Sequence, residues 1–148
     1  IVPKLLGVIP VKRDEFDRNA VQRCLEVLRA GEMILMAPEG TRGPDLRQGR
    51  EGVAYLASRS GAPVIQVAVY GTDGFPALRF TKRWRGSGGQ IRFGRPFRYK
   101  ADLRRSKAQT LRQMTDEAMY VLAAMLPEDR RGYYADQTKA TQETIEWV

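Results

Sequence analysis

Met33-Ile34-Leu35-Met36-Ala37-Pro38-Glu39-Gly40-Thr41-Arg42-Gly43-Pro44 is the stretch on which the reading of this 148-residue chain turns. Four apolar residues in a row, closed by a proline and followed by glycines among polar residues, predict a buried strand that delivers a tight loop. Open α/β sheets place their ligand sites at the C-terminal ends of their strands. In this loop Gly40 and Gly43 allow close backbone approach, and Thr41 offers a hydroxyl. Glu39 and Arg42 set opposite charges three residues apart. An ordinary surface turn has the same composition, so the loop by itself leaves both readings open.

Working outward, Leu5 to Val11 is a short apolar segment ending in Pro10-Val11, a strand or the approach to one, and Lys12 to Glu15 forms a charged turn. Asp17 suits the N-cap of a helix from Arg18 to about Ala30. There Ala20, Val21, Cys24, Leu25 and Leu28 recur at helical spacing, and Gly31 supplies the stop. Strand, helix and strand in this order build parallel sheets with the helix on one face. Beyond the loop, Pro44 to Gly49 is turn-rich, and a second helix from about Arg50 to Ser60 buries Val53, Leu56 and Ala57 before Gly61 ends it. Val64 to Tyr70 is nearly continuous in apolar and β-branched residues, as a strand covered on both faces should be. Gly71 to Gly74 would then close it on the same edge as the first loop if the strands run parallel.

In the second half, Lys82-Arg83-Trp84-Arg85 precedes a glycine-rich run. It reads either as a solvated connection whose tryptophan folds back onto the sheet, or as a dock for anionic headgroups. Gln90 to Gly94 alternates enough to be a strand. Leu103 to Leu126 predicts a long helix with Leu111, Met114, Ala118, Leu122 and Met125 on one stripe and Pro127 as its end. Residues 128–148 form a charged tail whose aromatic residues are Tyr133, Tyr134 and Trp147. The expected architecture is α/β, a mainly parallel sheet flanked by helices. Residues 1–127 form the domain and 128–148 the tail.

The composition, 43% hydrophobic, is that of a globular chain with room for one core. A net charge of +8, with arginine far outnumbering lysine, favours anionic partners, because a planar guanidinium matches phosphate in two-pronged fashion. Cys24 is the single cysteine, so no internal disulfide is possible, and its place on a helical stripe marks it as a core thiol. No apolar run reaches the roughly 18 residues of a spanning helix. There is no G-x-S-x-G elbow, phosphate-binding G-x-x-x-x-G-K, dinucleotide fingerprint or paired metal-ligand spacing.

Gly7-Val8-Ile9-Pro10-Val11-Lys12-Arg13, Ala37-Pro38-Glu39-Gly40-Thr41-Arg42 and Gly61 to Val69 together resemble, in order and spacing, the glycerolipid acyltransferases, notably the 1-acyl-glycerol-3-phosphate acyltransferases. The likeness is strong from about Leu5 to Gly71 and weak beyond. It implies transfer of a fatty acyl group from an acyl thioester, of coenzyme A or acyl carrier protein, to the free hydroxyl of lysophosphatidate in phospholipid synthesis. It implies no cofactor and no metal. It points to Arg13, Glu39, Gly40, Thr41 and Arg42 as ligands of the phosphorylated acceptor. An anionic membrane surface is the expected partner and nucleic acid is not. The expected location is the cytoplasmic face of a membrane, peripherally or through an anchor preceding Ile1.

One main departure qualifies the resemblance. The family's His-x-x-x-x-Asp motif lies upstream of the G-x-I-P-V block, and this chain has no histidine. The expectation is therefore an N-terminally truncated chain that carries the acceptor grip without the base, inactive alone and with no catalytic residue to assign. The alternatives are a natural chain that has lost the base, or a non-catalytic basic module binding anionic lipid or another phosphorylated ligand. Smaller departures are Gln66, where the family often has proline, and Gly43, where serine is common.

Overall fold

The computed structural model describes residues 8–11, 17–40, 43–71, 89–100 and 108–148. Helix α1, Arg18–Arg29, begins where Asp17 takes the cap position and accepts the Ala20 N–H at 3.0 Å. Its buried face is Ala20, Cys24 and Leu25. Helix α2, Gly52–Ser60, ends at Gly61, whose φ of 72° lets its N–H return to the Ala57 carbonyl at 2.9 Å. Helix α3, Ala108–Ala124, is the longest described element. Met114, Thr115, Glu117, Ala118, Met119, Leu122 and Ala123 are buried along it.

These helices share out three apolar clusters. Cys24 and Leu25 of α1 meet Leu56 of α2. Ala54 and Ala57 of α2 meet Met114 and Ala118 of α3 around Phe97 and Ile145. The far side of α3 carries Met119, Leu122 and Ala123 against Leu46, Ala68 and Tyr134. Thus α3 is the spine between two of the clusters, and of its predicted stripe Met114, Ala118 and Leu122 are buried while Leu111 and Met125 are partly buried.

The expected mainly parallel sheet is not what the described residues form. Strand β1, Val67–Tyr70, pairs antiparallel with β2, Gln90–Phe93, in the register Val67–Phe93 to Tyr70–Gln90. Strand β3, Phe97–Tyr99, pairs antiparallel with β4, Ile145–Trp147. Both described sheets have two strands. The stretch Met33–Met36 forms no strand with any described residue, and Met33 and Leu35 are 92% and 93% exposed. Its hydrophobicity was legible, but a strand also needs a neighbour for its amides, and among the described residues none lies alongside. Likewise β1 is covered on one face only. Ala68 lies against α3, while Val69, Ile91 and Phe93 are exposed on the other side. The segments 72–88 and 101–107, with the basic run around Trp84 and the expected start of α3, lie outside the described residues.

Gln66 has a definite task. Its buried side chain donates to the Ala118 carbonyl of α3 at 3.0 Å, and its own carbonyl accepts the Gly94 N–H at 2.8 Å. A proline at this position would lose the first bond, so the departure is compensated by a tie between helix and sheet.

Residues 128–148 wind through three 3-10 turns, Glu128–Arg130, Gly132–Tyr134 and Gln137–Lys139, into β4, and they lie on the same core. Two polar nodes hold them. Glu117, 1% exposed, accepts the Thr141 hydroxyl (2.7 Å), the Glu143 and Thr144 amides (3.0 and 2.9 Å), the Thr144 hydroxyl (2.5 Å) and the Gln113 amide (3.2 Å). Burial alone would raise its pKa, but hydrogen bonds from Thr144, Thr141 and Gln113 outweigh it and leave the carboxyl below its ordinary value. The second node is the Tyr134 hydroxyl, which donates to Asp116 Oδ1 at 2.8 Å and accepts the buried Gly49 N–H at 3.0 Å.

Because the folded-state pKa of Glu117 is depressed, its stabilisation is present above the unfolded value of about 4.3 and fades as pH falls through the lower folded value. Glu117→Gln is expected to cost about 1–3 kcal/mol at neutral pH, with the gap to the parent narrowing near pH 3. Urea midpoints at the two pH values check this, and a gap that does not change with pH would refute it. Tyr134→Phe leaves the Gly49 amide without its acceptor and is expected to cost about 1–3 kcal/mol in the same titration.

Candidate functional site

Glu39 and Gly40 stand in the described part of the candidate site, whereas Arg13, Thr41 and Arg42 lie outside the described residues. Leading into the loop, the Gly40 N–H donates to the Ala37 carbonyl at 3.2 Å, closing a four-residue turn. Gly40 has φ 66°, and a Cβ there would meet Arg50 Cδ and Nε at 3.2 Å. Both the left-handed backbone and the arginine lying over it select glycine.

The Glu39 carboxylate was expected to orient an arginine or the glycerol of the acceptor. Here Oε2 accepts the backbone N–H of Arg47 at 2.6 Å. The Pro38 carbonyl accepts the Arg50 N–H at 2.8 Å. Residues 38–50 are therefore tied into a closed loop at both ends, with the E-G-T-R block at its start. A carboxylate spent on a main-chain amide shapes the loop, and its second oxygen is the part of it that remains to meet a ligand.

This loop borders a cavity of about 190 Å³, equal to roughly six water volumes at ≈ 30 Å³ each. Glu39 and Gly43 come from the loop, Tyr70 and Gly71 from the end of β1, and Leu126 and Arg130 from the chain after α3. Glu39, Gly43 and the C-terminal end of β1 thus line one cavity, although among the described residues no parallel pairing brings them there. The Tyr70 ring is fixed by its hydroxyl, which donates to Gln90 at 2.6 Å, and by the Arg92 guanidinium 5.2 Å from the ring centre.

Arg130 was not singled out from the sequence. It sits in a short charged run with no periodicity, and only the fold carries it to the loop. Its Nη1 donates to the Pro44 carbonyl at 3.1 Å. The backbone supports that contact from both sides: Leu46 N–H donates to the Arg130 carbonyl at 3.1 Å and Tyr133 N–H to the Leu46 carbonyl at 2.8 Å. Among the described residues no group of three His, Cys, Asp or Glu side chains is placed to hold a metal ion. The Cys24 thiol is buried, which pushes its pKa up and makes it a poor nucleophile.

The chemistry available is that of a grip. A loop with glycine-edged backbone, a carboxylate, a neighbouring guanidinium and a small polar cavity can hold a compact anionic polyol.

Known proteins are similar to this chain over its first half. The acyltransferase family model matches residues 2–70, which include the E-G-T-R block and the strand that ends at the cavity. The chain is 33% identical over 72 residues to the chloroplastic 1-acyl-sn-glycerol-3-phosphate acyltransferase of Brassica napus, a match covering 46% of this chain and 21% of that protein. The Arabidopsis thaliana chloroplastic enzyme of the same name is 33% identical over 46% of this chain and 20% of its own length. The Borreliella burgdorferi 1-acyl-sn-glycerol-3-phosphate acyltransferase is 34% identical over 51% of this chain and 32% of its own. The chain therefore spans between a fifth and a third of the curated relatives it matches. No solved structure gives a significant match. The three sequence blocks thus lie in the same residues, 2–70, over which this chain is similar to the acyltransferase family.

Proposed function

We propose that this chain is the acceptor-binding part of an acyltransferase that moves a fatty acyl group from an acyl thioester to the free hydroxyl of lysophosphatidate. The observation that carries the reading is the E-G-T-R block inside the family-matched segment, whose Glu39, with Gly43 just beyond the block, lines a small polar cavity. The named relatives, each a 1-acyl-sn-glycerol-3-phosphate acyltransferase, supply the substrate class.

Acyl transfer of this kind needs a base for the hydroxyl proton, stabilisation of the oxyanion, and a hold on the acceptor that aims its hydroxyl at the thioester carbon. In our reading Arg13 and Arg42 clamp the phosphate, Gly40 and Thr41 contact it through backbone and hydroxyl, and Glu39 keeps the loop in the shape that presents them. With no histidine in residues 1–148, the base and its orienting acid come from outside these residues. The acyl donor is a thioester of coenzyme A or acyl carrier protein. The enzyme works at an anionic membrane surface, and Lys82, Arg83 and Arg85 flanking Trp84 are suited to meeting its headgroups. Among the described residues no helix is long and apolar enough to cross a membrane.

Residues 1–148 alone are expected to consume no acyl thioester above background, because loss of a general base costs about 10²- to 10⁴-fold. Robust lysophosphatidate-dependent release of coenzyme A from acyl-CoA by this chain would refute the placement of the base. In the enzyme carrying its His-x-x-x-x-Asp motif, Arg42→Ala is expected to lower kcat/KM for the acceptor by about 10- to 150-fold, with Arg42→Lys recovering part of it. The donor KM and the Tm should hold. A stable Arg42→Ala enzyme with the parent's acceptor kinetics would rule out Arg42 as a phosphate ligand, and unchanged thioester release without lysophosphatidate would remove the acceptor itself from the reading.

A further inference from the structure

We infer that Arg130 binds the phosphate of the acceptor's headgroup, so that a residue far outside the family-matched segment completes the subsite opposite the E-G-T-R loop. The inference rests on the acceptor-binding reading above and adds to it a specific ligand and a specific wall.

Among the described residues lining the cavity, Arg130 contributes the one cationic side chain, against the carboxylates of Glu39 and Asp45. That mixture is poorly matched to a bare anion. It is well matched to a phosphorylated polyol, whose hydroxyls donate to carboxylates while its phosphate accepts from a guanidinium. The cavity volume of about 190 Å³ is on the scale of a three-carbon headgroup rather than a long acyl chain. Gly43 and Gly71 stand at the wall, where absent side chains allow close approach.

The guanidinium is also held in place before any ligand arrives. Nη1 is on the Pro44 carbonyl, Nε is 3.7 Å from Asp129 Oδ2, and the side chain is only 28% exposed. The backbone beneath it is fixed by the Arg130 N–H on the Pro127 carbonyl at 3.0 Å and by the exchange with Leu46. A guanidinium presents its N–H donors in a fixed plane, and one already held by its neighbours loses little side-chain freedom on binding. Pro44 lies two residues beyond Arg42. The contact therefore places a second cation beside the loop that carries the first.

The test is calorimetric titration of the 148-residue chain with sn-glycerol 3-phosphate, beside inorganic phosphate and glycerol as separate probes. The parent is expected to bind glycerol 3-phosphate more tightly than either fragment. Arg130→Ala should weaken that binding by at least about 10-fold, and Arg130→Lys by less, with Tm unchanged in both. Equal affinity of the parent for inorganic phosphate would reduce the cavity to a plain anion site and overturn the inference. Equal losses in the alanine and lysine variants with a common fall in Tm would make Arg130 a clamp on Pro44 and nothing more. Arg42→Ala separates the two levels of the reading. If it weakens binding while Arg130→Ala does not, Arg130 is excluded and the acceptor grip stands. If the parent fails to bind glycerol 3-phosphate, both fall together.

Discussion

The backbone of Gly49 is gripped on both sides of its Cα, and the site depends on that grip. Its N–H goes to the Tyr134 hydroxyl at 3.0 Å and its carbonyl takes Arg112 Nη1 at 2.7 Å. Asp116 joins the two holders: it accepts from Tyr134 at 2.8 Å and from two nitrogens of the Arg112 guanidinium at 3.0 and 2.8 Å. Arg112 also reaches Glu51 at 2.7 Å. A single backbone unit thereby ties the loop, α3 and the C-terminal segment together. A Cβ at Gly49 would meet Met119 Cγ at 2.7 Å, so the approach that permits these bonds requires glycine. Burial pushes the Tyr134 phenol well above its ordinary pKa, so it stays protonated and keeps donating to Asp116.

From this node the loop geometry follows. With Gly49 fixed, Arg50 can donate to the Pro38 carbonyl and lie over Gly40, and Arg47 can meet Glu39. The E-G-T-R block thus hangs from a loop anchored on α3, a different support from the paired strand the sequence suggested. The same anchoring draws residues 44–46 against residues 130–133. Gly132, at φ 48°, lies so close to Leu46 that a Cβ would fall 2.2 Å from its carbonyl oxygen. That closeness is what carries Arg130 to the cavity wall.

The apolar surface is distributed unevenly around this arrangement. Two-stranded sheets are marginal by themselves, and β1 with β2 persists because Ala68 and Tyr70 rest on the cluster built by α3. Its other face, with Val69, Ile91 and Phe93, is open, as are Met33 and Leu35. The polar interior, by contrast, is complete. Among the described residues no buried side-chain nitrogen or oxygen lacks a partner, and Glu117 shows how, one carboxylate serving five donors.

Local chemistry was legible wherever a residue acts on its immediate neighbours. Asp17 capping α1, Gly61 ending α2, the stripe of α3 and the tight turn at Gly40 were all readable, because cap, stop, period and turn are each written within a few residues. The resemblance to the acyltransferases was readable for a similar reason: three blocks in fixed order lie inside residues 2–70. Strand pairing was not, because hydrophobicity marks Met33–Met36 and Val64–Tyr70 as apolar without naming their neighbours. Nor was the part played by residues 128–148, whose charges look like those of a solvated tail until Glu117, Asp116 and Leu46 are placed beside them. The sequence by itself determined the loop and its chemistry. Which groups support that loop, and that Arg130 faces it, were decided by contacts between residues up to 86 positions apart, which no local pattern encodes.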